Sequence, residues 1–521
     1  MPSGGCASSR LSERKHARDA ATMSEREREI KLAAPLGFRM PDLSEPSGEL
    51  TSGPVETIEL DAVYYDTDDL RLARTGASLR HRNDEGWVVK LPRSTEGNGL
   101  LDRSTYSFAG ADDAPPAEAL DLVRGIVRKA PIGAVAHLHT TRRCVQVFTL
   151  EGARLAELTD DDVQVCDGDR LVDRFRELEI ELADGVPADR VDEIVERLRA
   201  AGARPPEPTP KVVRALGPRA QGQPDLVPVQ VGKGATVEEV LRAALSAAAA
   251  KLVASDAGIR TGDDPEDIHD ARVATRRVRS HLRTFRTVVD EQWANNLRAE
   301  LKWLGGLLGA VRDAEVLQAR LLAKVDRLPE SDQPAARRLL TSLDRQRTDG
   351  RKTLLDAMRS DRYLELLERV IAAAQRPRVL LRVEDEDDRK VMQDLARRPW
   401  NHLRDAVGDL PDEPADEELH AVRIRAKRAR YAVEAVSPVF GKPARQFARA
   451  LTDLQDVLGE HQDAVVAGKW LRDTAAATGE EMLGFVAGEL VALERDDALH
   501  ARAAWPKAWR AANRKRLHSW L

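Results

Sequence analysis

Apolar and polar residues alternate with period two along the first part of the chain and recur at helical spacing along the rest. Glu27-Arg28-Glu29-Ile30-Lys31-Leu32, Ser78-Leu79-Arg80-His81-Arg82 and Leu178-Glu179-Ile180-Glu181-Leu182 alternate, as half-buried strands do. Trp87-Val88-Val89-Lys90-Leu91 and Val145-Gln146-Val147-Phe148 are further short runs bounded by Gly, Asp and Asn. Helical spacing interrupts them near residues 117–128 and 188–201, the second after Gly185 with Pro187 at its opening. An antiparallel β-barrel with flanking helices is the architecture this predicts.

Between Arg204 and Pro228 stand seven prolines, the composition of a linker, and beyond them the period is helical. Residues 237–254, 268–289, 296–324 and 334–360 carry apolar side chains at i, i+3, i+4 and i+7, predicting an all-α second part. That part repeats itself. His269-x-x-Arg272-Val273-x-x-x-Arg277 recurs as His420-x-x-Arg423-Ile424-x-x-x-Arg428, and Leu308-Gly309-x-x-Arg312-Asp313 as Leu458-Gly459-x-x-Gln462-Asp463. A period that long means duplication of a helical bundle, not a solenoid of ~20–50-residue units. The fold class is thus α+β and multidomain. Its expected parts are a disordered tail over 1–22, a barrel domain over 23–218, a linker over 219–230, and a helical domain over 231–521 with repeats at about 231–375 and 390–521.

With 81 Lys and Arg against 87 Asp and Glu in 521 residues, the chain has a formal net charge of −6, so any grip on a polyanion must come from a local patch. No apolar run approaches the ~18 residues of a membrane span, and the charged residues 1–22 contain no signal-peptide core. Cys6, Cys144 and Cys166 form neither a CxxC nor a disulfide framework. A cytosolic protein is expected, with Met1 or Met23 as its start.

A barrel strand turns alternate residues inward. Glu27, Glu29 and Lys31 share one face, as do Arg80 and Arg82, and Glu177, Glu179 and Glu181. The opposite register of the last strand, Leu178, Ile180 and Leu182, is apolar and can pack outward on helices, which leaves carboxylates and guanidinium groups inside. Carboxylates at i, i+2 suit an oxygen-seeking cation such as Mg²⁺ or Mn²⁺, and paired arginines suit phosphate. Taken singly, each strand also reads as the solvated face of an open sheet. His137 and His139, two apart, read as a polar strand face.

Glu27-x-Glu29-x-Lys31, Tyr65-Asp66-Thr67, Gly76-x-x-Leu79-Arg80-x-Arg82, Lys90-x-Pro92 and Glu179-x-Glu181, in this order over residues 24–216, resemble the CYTH family of triphosphate tunnel metalloenzymes. The family includes inorganic triphosphatases, thiamine triphosphatases and one class of adenylate cyclase. The resemblance implies a closed eight-stranded tunnel. It places Glu27, Glu29, Asp161, Glu179 and Glu181 on the metal, and Lys31, Arg80, Arg82, Lys90, Arg143 and Lys211 on the triphosphate. Glu27, Glu29 and Lys31 would serve catalysis, in which a metal-activated water attacks a terminal phosphorus. The family pattern Arg-x-Glu departs here to Arg103-Ser104-Thr105, which takes away one carboxylate.

In the helical part, His269, Arg272, Arg276, Arg279, Arg283 and Arg286 fall at spacings of 3 and 4, a stripe along one helix face, and His420, Arg423, Lys427 and Arg430 repeat its first four positions. Aligned cations without interleaved acids repel one another unless an anion lies along them. His269 and His420 read as hydrogen-bonded buried histidines, with Asp313 and Asp463 as candidate partners. His269-x-x-Arg272-Val273-Ala274-Thr275-Arg276-Arg277-x-Arg279, its repeat through Tyr431, and Leu454-Gln455-Asp456-x-Leu458-Gly459 resemble the CHAD domain. That resemblance implies two pseudo-symmetric bundles whose basic groove binds inorganic polyphosphate, through His269, Arg272, Arg276, Arg279, Arg283, His420, Arg423, Lys427 and Arg430.

Both parts thus address one ligand class. The expectation is metal-dependent hydrolysis of inorganic triphosphate or short polyphosphate in the tunnel, with Mg²⁺ or Mn²⁺, and polyphosphate binding by the helices, in the cytoplasm and at polyphosphate granules. A non-catalytic polyphosphate adaptor and an enzyme acting on an organic triphosphate are the alternatives. Scarce aromatic residues, 4% of the chain, argue against nucleic acid.

Overall fold

The computed structural model describes residues 23–43, 50–95, 100–205, 210–380 and 387–521; the side chains of 23–28, 93–95, 100–102 and 188–189 lie outside that description, as does the tail expected over 1–22. The chain divides into two compact units after Asp225.

The described residues of the first unit form nine strands: β1 (Met23–Ala34), β2 (Leu50–Ser52), β3 (Glu56–Asp66), β4 (Ser78–Arg82), β5 (Gly86–Thr95), β6 (Leu100–Phe108), β7 (Gly133–Thr149), β8 (Arg154–Asp167) and β9 (Arg170–Leu182). Eight run in the order β7-β3-β4-β5-β6-β1-β9-β8, and β8 pairs back onto β7, so the antiparallel sheet closes on itself. The three-residue β2 adds to the far end of β7. Closure leaves these eight strands no free edge, which short alternating strands otherwise expose. Glycines with positive φ, Gly86 at the opening of β5 and Gly168 between β8 and β9, make the hairpins tight.

Alternation sorts the side chains as the apolar register dictates. Ile30 and Leu32 of β1 and Leu178, Ile180 and Leu182 of β9 face outward and pack under Ile194, Val195 and Leu198 of a helix at Asp192–Ala200. Burial of each such side chain contributes about 1.5–3 kcal/mol. The inward register changes character along the bore. Leu138 of β7, Val163 and Val165 of β8 and Phe175 of β9 line one stretch with apolar groups, whereas Arg142, Asp161, Glu177 and Glu179 line the next.

Among the described residues this unit has four α-helices: α1 (Arg71–Thr75), α2 (Ala117–Val127), α3 (Asp192–Ala200) and α4 (Lys211–Leu216). The last corrects the linker reading. Inside the proline-rich stretch, Pro210 precedes a short helix whose Val212 and Val213 enter the apolar stretch of the bore, while Lys211 reaches the charged stretch. Asp66, the landmark at the end of β3, is buried and accepts backbone N–H groups from Thr67, Leu72 and Ala73, which anchors α1.

The second unit is helical: α5 (Val237–Thr261), α6 (Pro265–Thr284), α7 (Glu291–Val325), α8 (Gln333–Met358), α9 (Asp361–Gln375), α10 (Asp388–Gly408), α11 (Asp416–Phe440), α12 (Lys442–Thr478), α13 (Glu481–Ala512) and α14 (Lys515–His518). The duplication is visible in the element starts, because α10, α11 and α12 begin 151 residues after α5, α6 and α7. Both repeats share one core. Leu245, Val278, Leu282 and Leu301 of the first join Trp400, Val433, Phe447 and Leu451 of the second, with Trp400 edge-on to Phe447 at 5.0 Å. The helix expected over 268–289 stops at Thr284, so Arg286 lies beyond its end.

Candidate functional site

The charged stretch of the barrel encloses a cavity of about 290 Å³. Each strand contributes residues of one parity: Glu29 and Lys31 from β1, Tyr64 from β3, Arg80 and Arg82 from β4, Lys90 from β5, Arg103 from β6, Arg142 from β7, Glu157 from β8, and Glu179 and Glu181 from β9. Lys211 enters from α4, and Glu85 from the β4–β5 turn.

Acids and bases interlock at its centre. Lys31, only 4% exposed, meets Glu179 and lies 3.6 Å from both Glu29 and Glu177. Lys211 Nζ lies 2.5 Å from Asp161 and 3.1 Å from Glu177 and from Glu179. Arg142 donates to both oxygens of Asp161, at 2.8 and 2.7 Å, and to Glu179 at 3.2 Å. Arg103 lies 3.5 Å from Glu29.

These contacts set the protonation states. Burial by itself would discharge Lys31, but Glu179, Glu29 and Glu177 outweigh it and hold the ammonium far above its usual range. Burial opposes ionisation of Glu179 and Asp161 too. Lys211, Lys31 and Arg142 overcome it for Glu179, as Lys211 and Arg142 do for Asp161, and both carboxyls are held down. At Glu177 burial prevails over Lys31 and Lys211, and its pKa is raised. Three carboxylates crowd together here, and Glu177, which burial and the neighbouring Glu179 and Asp161 all push upward, is the readiest to carry a proton.

Asp161, Glu177 and Glu179 each present one oxygen, all within 4.8 Å of one another. Oε1 of Glu177 is buried and held only by the ion pairs to Lys211 and Lys31. An all-oxygen carboxylate set fits Mg²⁺ or Mn²⁺. This set differs from the expected one. Glu177 belongs to it; Glu29 and Glu181, opposite each other in the strand register, line the cavity outside it; the side chain of Glu27 lies outside the described residues.

Arg143 requires a correction. Arg142 has the inward parity on β7, and Arg143 points outward, 3.4 Å from Asp160, which in turn is paired with Arg176. Arg143 shares the parity of Val147, which packs in the outward cluster with Leu178 and Ile180. The same parity puts Asp161 inside and Asp160 and Asp162 outside. Arg103, expected only as the start of a departing motif, is a cavity residue, and Thr105 lies two residues on, buried and opposite Lys90, with its hydroxyl unpartnered. His137 and His139 are outside, beside Asp61 and Glu59 at 2.6 and 3.5 Å.

In the helical unit, α6 and α11 bring the two stripes together. Arg276 donates to Tyr431 at 2.7 Å across the two helices, and Lys427 sits among Arg272, Arg276, Arg423 and Arg430. Both helices bury alanines, Ala271 and Ala274 on one and Ala426 and Ala429 on the other, small groups that let helices approach. Arg298 of α7 and Arg428 of α11 join Arg276, Arg279, Arg283 and Lys427 around a cavity of about 200 Å³. Arg283 and Arg428 also line a neighbouring cavity of about 440 Å³ with Arg286, Arg398 and Arg425. Among the described residues, none of Arg279, Arg283, Arg298, Lys427 and Arg428 has a carboxylate partner.

Burial and like charge therefore act together. Lys427 is pushed down to about 7, by burial first and then by Arg276, Arg423, Arg272 and Arg430; Arg279, Arg298 and Arg428 are lowered too. The Nε atoms of Arg298 and Arg423 are buried without acceptors, and that of Arg430 lies 3.4 Å from Glu434. Asp313 pairs with Arg272 at 2.5 Å rather than with His269, and the Nδ1 atom of His420 is buried without a hydrogen bond, so the histidine–aspartate pairs expected from sequence do not form.

Residues 25–206 match the CYTH domain and 243–472 the CHAD domain. Two relatives, uncharacterized protein MT2285 of Mycobacterium tuberculosis strain CDC 1551 and uncharacterized protein Rv2226 of strain H37Rv, are each 33% identical over 479 residues, 86% of this chain and 88% of theirs. Among solved structures, PptA from Streptomyces chartreusis is 26% identical with a TM-score of 0.46, covering 53% of this chain and all of its own. The CHAD domain from the plant Ricinus communis is 27% identical with a TM-score of 0.44, covering 54% and 95%. Among the described residues no helix is long and apolar enough to cross a membrane.

Proposed function

Because this chain belongs to the family that joins a CYTH domain to a CHAD domain, we propose that its barrel hydrolyses inorganic triphosphate or short polyphosphate and that its helical unit binds longer chains. One observation carries the substrate choice. The cavity wall is charged almost throughout, with Ser78, Tyr64, Pro210 and Val212 the exceptions. A thiamine or adenine ring needs apolar surface to lie on, whereas a bare phosphate chain needs cations around it.

Arg80, Arg82, Lys90, Arg103 and Arg142 would take the phosphate oxygens, and fixed guanidinium groups would stabilise charge that grows on the leaving phosphate. Asp161, Glu177 and Glu179 would hold the cation. When bound, Mg²⁺ or Mn²⁺ supplies charge neutralisation and a more acidic water. Lys31 and Lys211 keep Glu179 ionised and thus ready to ligate. In the helical unit, unpaired Arg279, Arg283, Arg298 and Arg428 would lie along the polyanion.

Purified full-length protein should release orthophosphate from tripolyphosphate with Mg²⁺ or Mn²⁺ and stop in EDTA, and the Asp161→Asn/Glu179→Gln double variant should release none. Wild-type turnover that persists in EDTA, or in that variant, would refute the assignment. A second reading, polyphosphate binding without hydrolysis, draws on Thr105, where the motif's carboxylate is replaced by a buried hydroxyl. It requires that no metal restores release while the chain still binds polyphosphate.

A further inference from the structure

The β4–β5 turn, Asn83-Asp84-Glu85, carries a carboxylate back into the barrel. Glu85 accepts a hydrogen bond from Arg80 and lies 2.9 Å from Arg82, the two β4 guanidinium groups that face the cavity. Asp84 holds the outer side of Arg82, at 2.5 and 3.1 Å. Glu85 is therefore bound where the proposed reaction places substrate phosphate. It is not part of the interlocked carboxylates around Lys31 and Lys211, and its side chain is one-third exposed (33%). The strand register resumes at Gly86 opposite Arg82, so the side chain can leave for solvent with the β4–β5 ladder intact.

We propose that Glu85 is a tethered competitor of the substrate: it occupies Arg80 and Arg82 in the empty tunnel, and a phosphate chain must displace it to bind. This rests on the tunnel reading above and deepens it to how the ligand binds and leaves. A carboxylate on a short tether presents itself at an effective concentration on the order of millimolar. A lone orthophosphate must beat that with contacts to little besides the same two arginines. A triphosphate recovers the loss on Lys90, Arg103 and Arg142 at once. Displacement thus weakens both ligands by the same factor, which leaves a chain bound and helps expel the orthophosphate product. Burial alone would favour the acid form of Glu85, but Arg80, Arg82 and Lys90 hold its pKa down to about 2, so the competitor stays charged at any working pH.

The sign of one substitution decides. If Glu85 competes, Glu85→Gln in the full chain binds both tripolyphosphate and orthophosphate more tightly, by about tenfold each in calorimetry with EDTA present, and product inhibition by orthophosphate strengthens in step. Glu85→Ser, which cannot accept from both arginines as an amide oxygen can, must shift affinity in the same direction. If Glu85 merely orients Arg80 and Arg82, both variants bind more weakly. Weaker or unchanged binding overturns the proposal while leaving the tunnel reading standing. Failure of wild type and both variants alike to bind tripolyphosphate overturns both.

Discussion

Lys31 on β1 and Glu179 on β9 are cross-strand partners in register, and their side chains meet inside the barrel with almost no access to water. The pair joins the first of the described strands to the acidic strand β9. It also links the two charge systems of the cavity, since Glu179 contacts Lys211 and Arg142 as well.

Removing the cation should therefore leave a buried carboxylate cluster uncompensated. Lys31→Met is expected to cost about 3–5 kcal/mol of stability, read as a lower thermal midpoint in EDTA. Mn²⁺ should recover part of that loss, because a cation among Asp161, Glu177 and Glu179 supplies the missing charge. An equal midpoint for variant and wild type in EDTA would refute it.

Arg142 and Arg143 are adjacent in sequence and opposite in role. Arg142→Gln should lower kcat/KM for tripolyphosphate by about 10²–10³, the usual loss of a fixed charge-stabilising donor. Arg143→Gln should change it less than about threefold, because it loses only a half-exposed contact with Asp160. Steady-state kinetics on both variants, with circular dichroism to confirm folding, checks the parity argument directly.

Lys427 predicts a pH dependence. Its pKa in the ligand-free protein is lowered to about 7, so it is neutral above that pH while the unfolded chain still holds the proton. Stability of the ligand-free protein should accordingly rise with pH from about 7 towards the ordinary lysine value and be lost as pH falls through 7. A bound polyanion restores the charge. Polyphosphate binding should take up one proton in that window and weaken by up to about tenfold per pH unit above 7. Calorimetry in buffers of different ionisation enthalpy measures that proton, and Lys427→Met should abolish the uptake.

Thr105 faces Lys90 across β5 and β6 with its hydroxyl unpartnered. Thr105→Glu should place a carboxylate back at the departed motif position and lower the Mn²⁺ concentration for half-maximal phosphate release by about tenfold. A metal titration that does not move, or moves upward, would mean that this position takes no part in metal binding.

The closed barrel and the duplicated bundle were legible because both rest on periodicity: an apolar register that must pack outward, and stripes that recur after a fixed interval. The site was legible where one parity rule applied to a clean alternation, as at Glu29, Lys31, Arg80, Arg82 and Glu179. It was misread at Arg142 and Arg143, where two arginines adjoin and the motif alone chose the wrong one. The apolar residues of that strand, Val145 and Val147, already point to the outward register and could have decided it. Glu177 shares the inward parity of Glu179, yet only the convergence of β8, β9 and α4 shows that it clusters with Asp161. Arg298, Arg428 and Glu85 reach their places through helix packing and a turn, and no local pattern announces them. The prolines concealed α4, because a six-residue helix is shorter than the period needed to recognise one.

That small helix has a consequence for what the barrel can process. Val212 and Val213, with Leu138, Val163, Val165 and Phe175, fill one stretch of the bore, so a polymer cannot be threaded through it like a string through a bead. Only a free terminus can enter. Under the proposed activity, long chains would be shortened from their tips, as a candle burns, and ring-shaped metaphosphates, which have no tip, would go untouched.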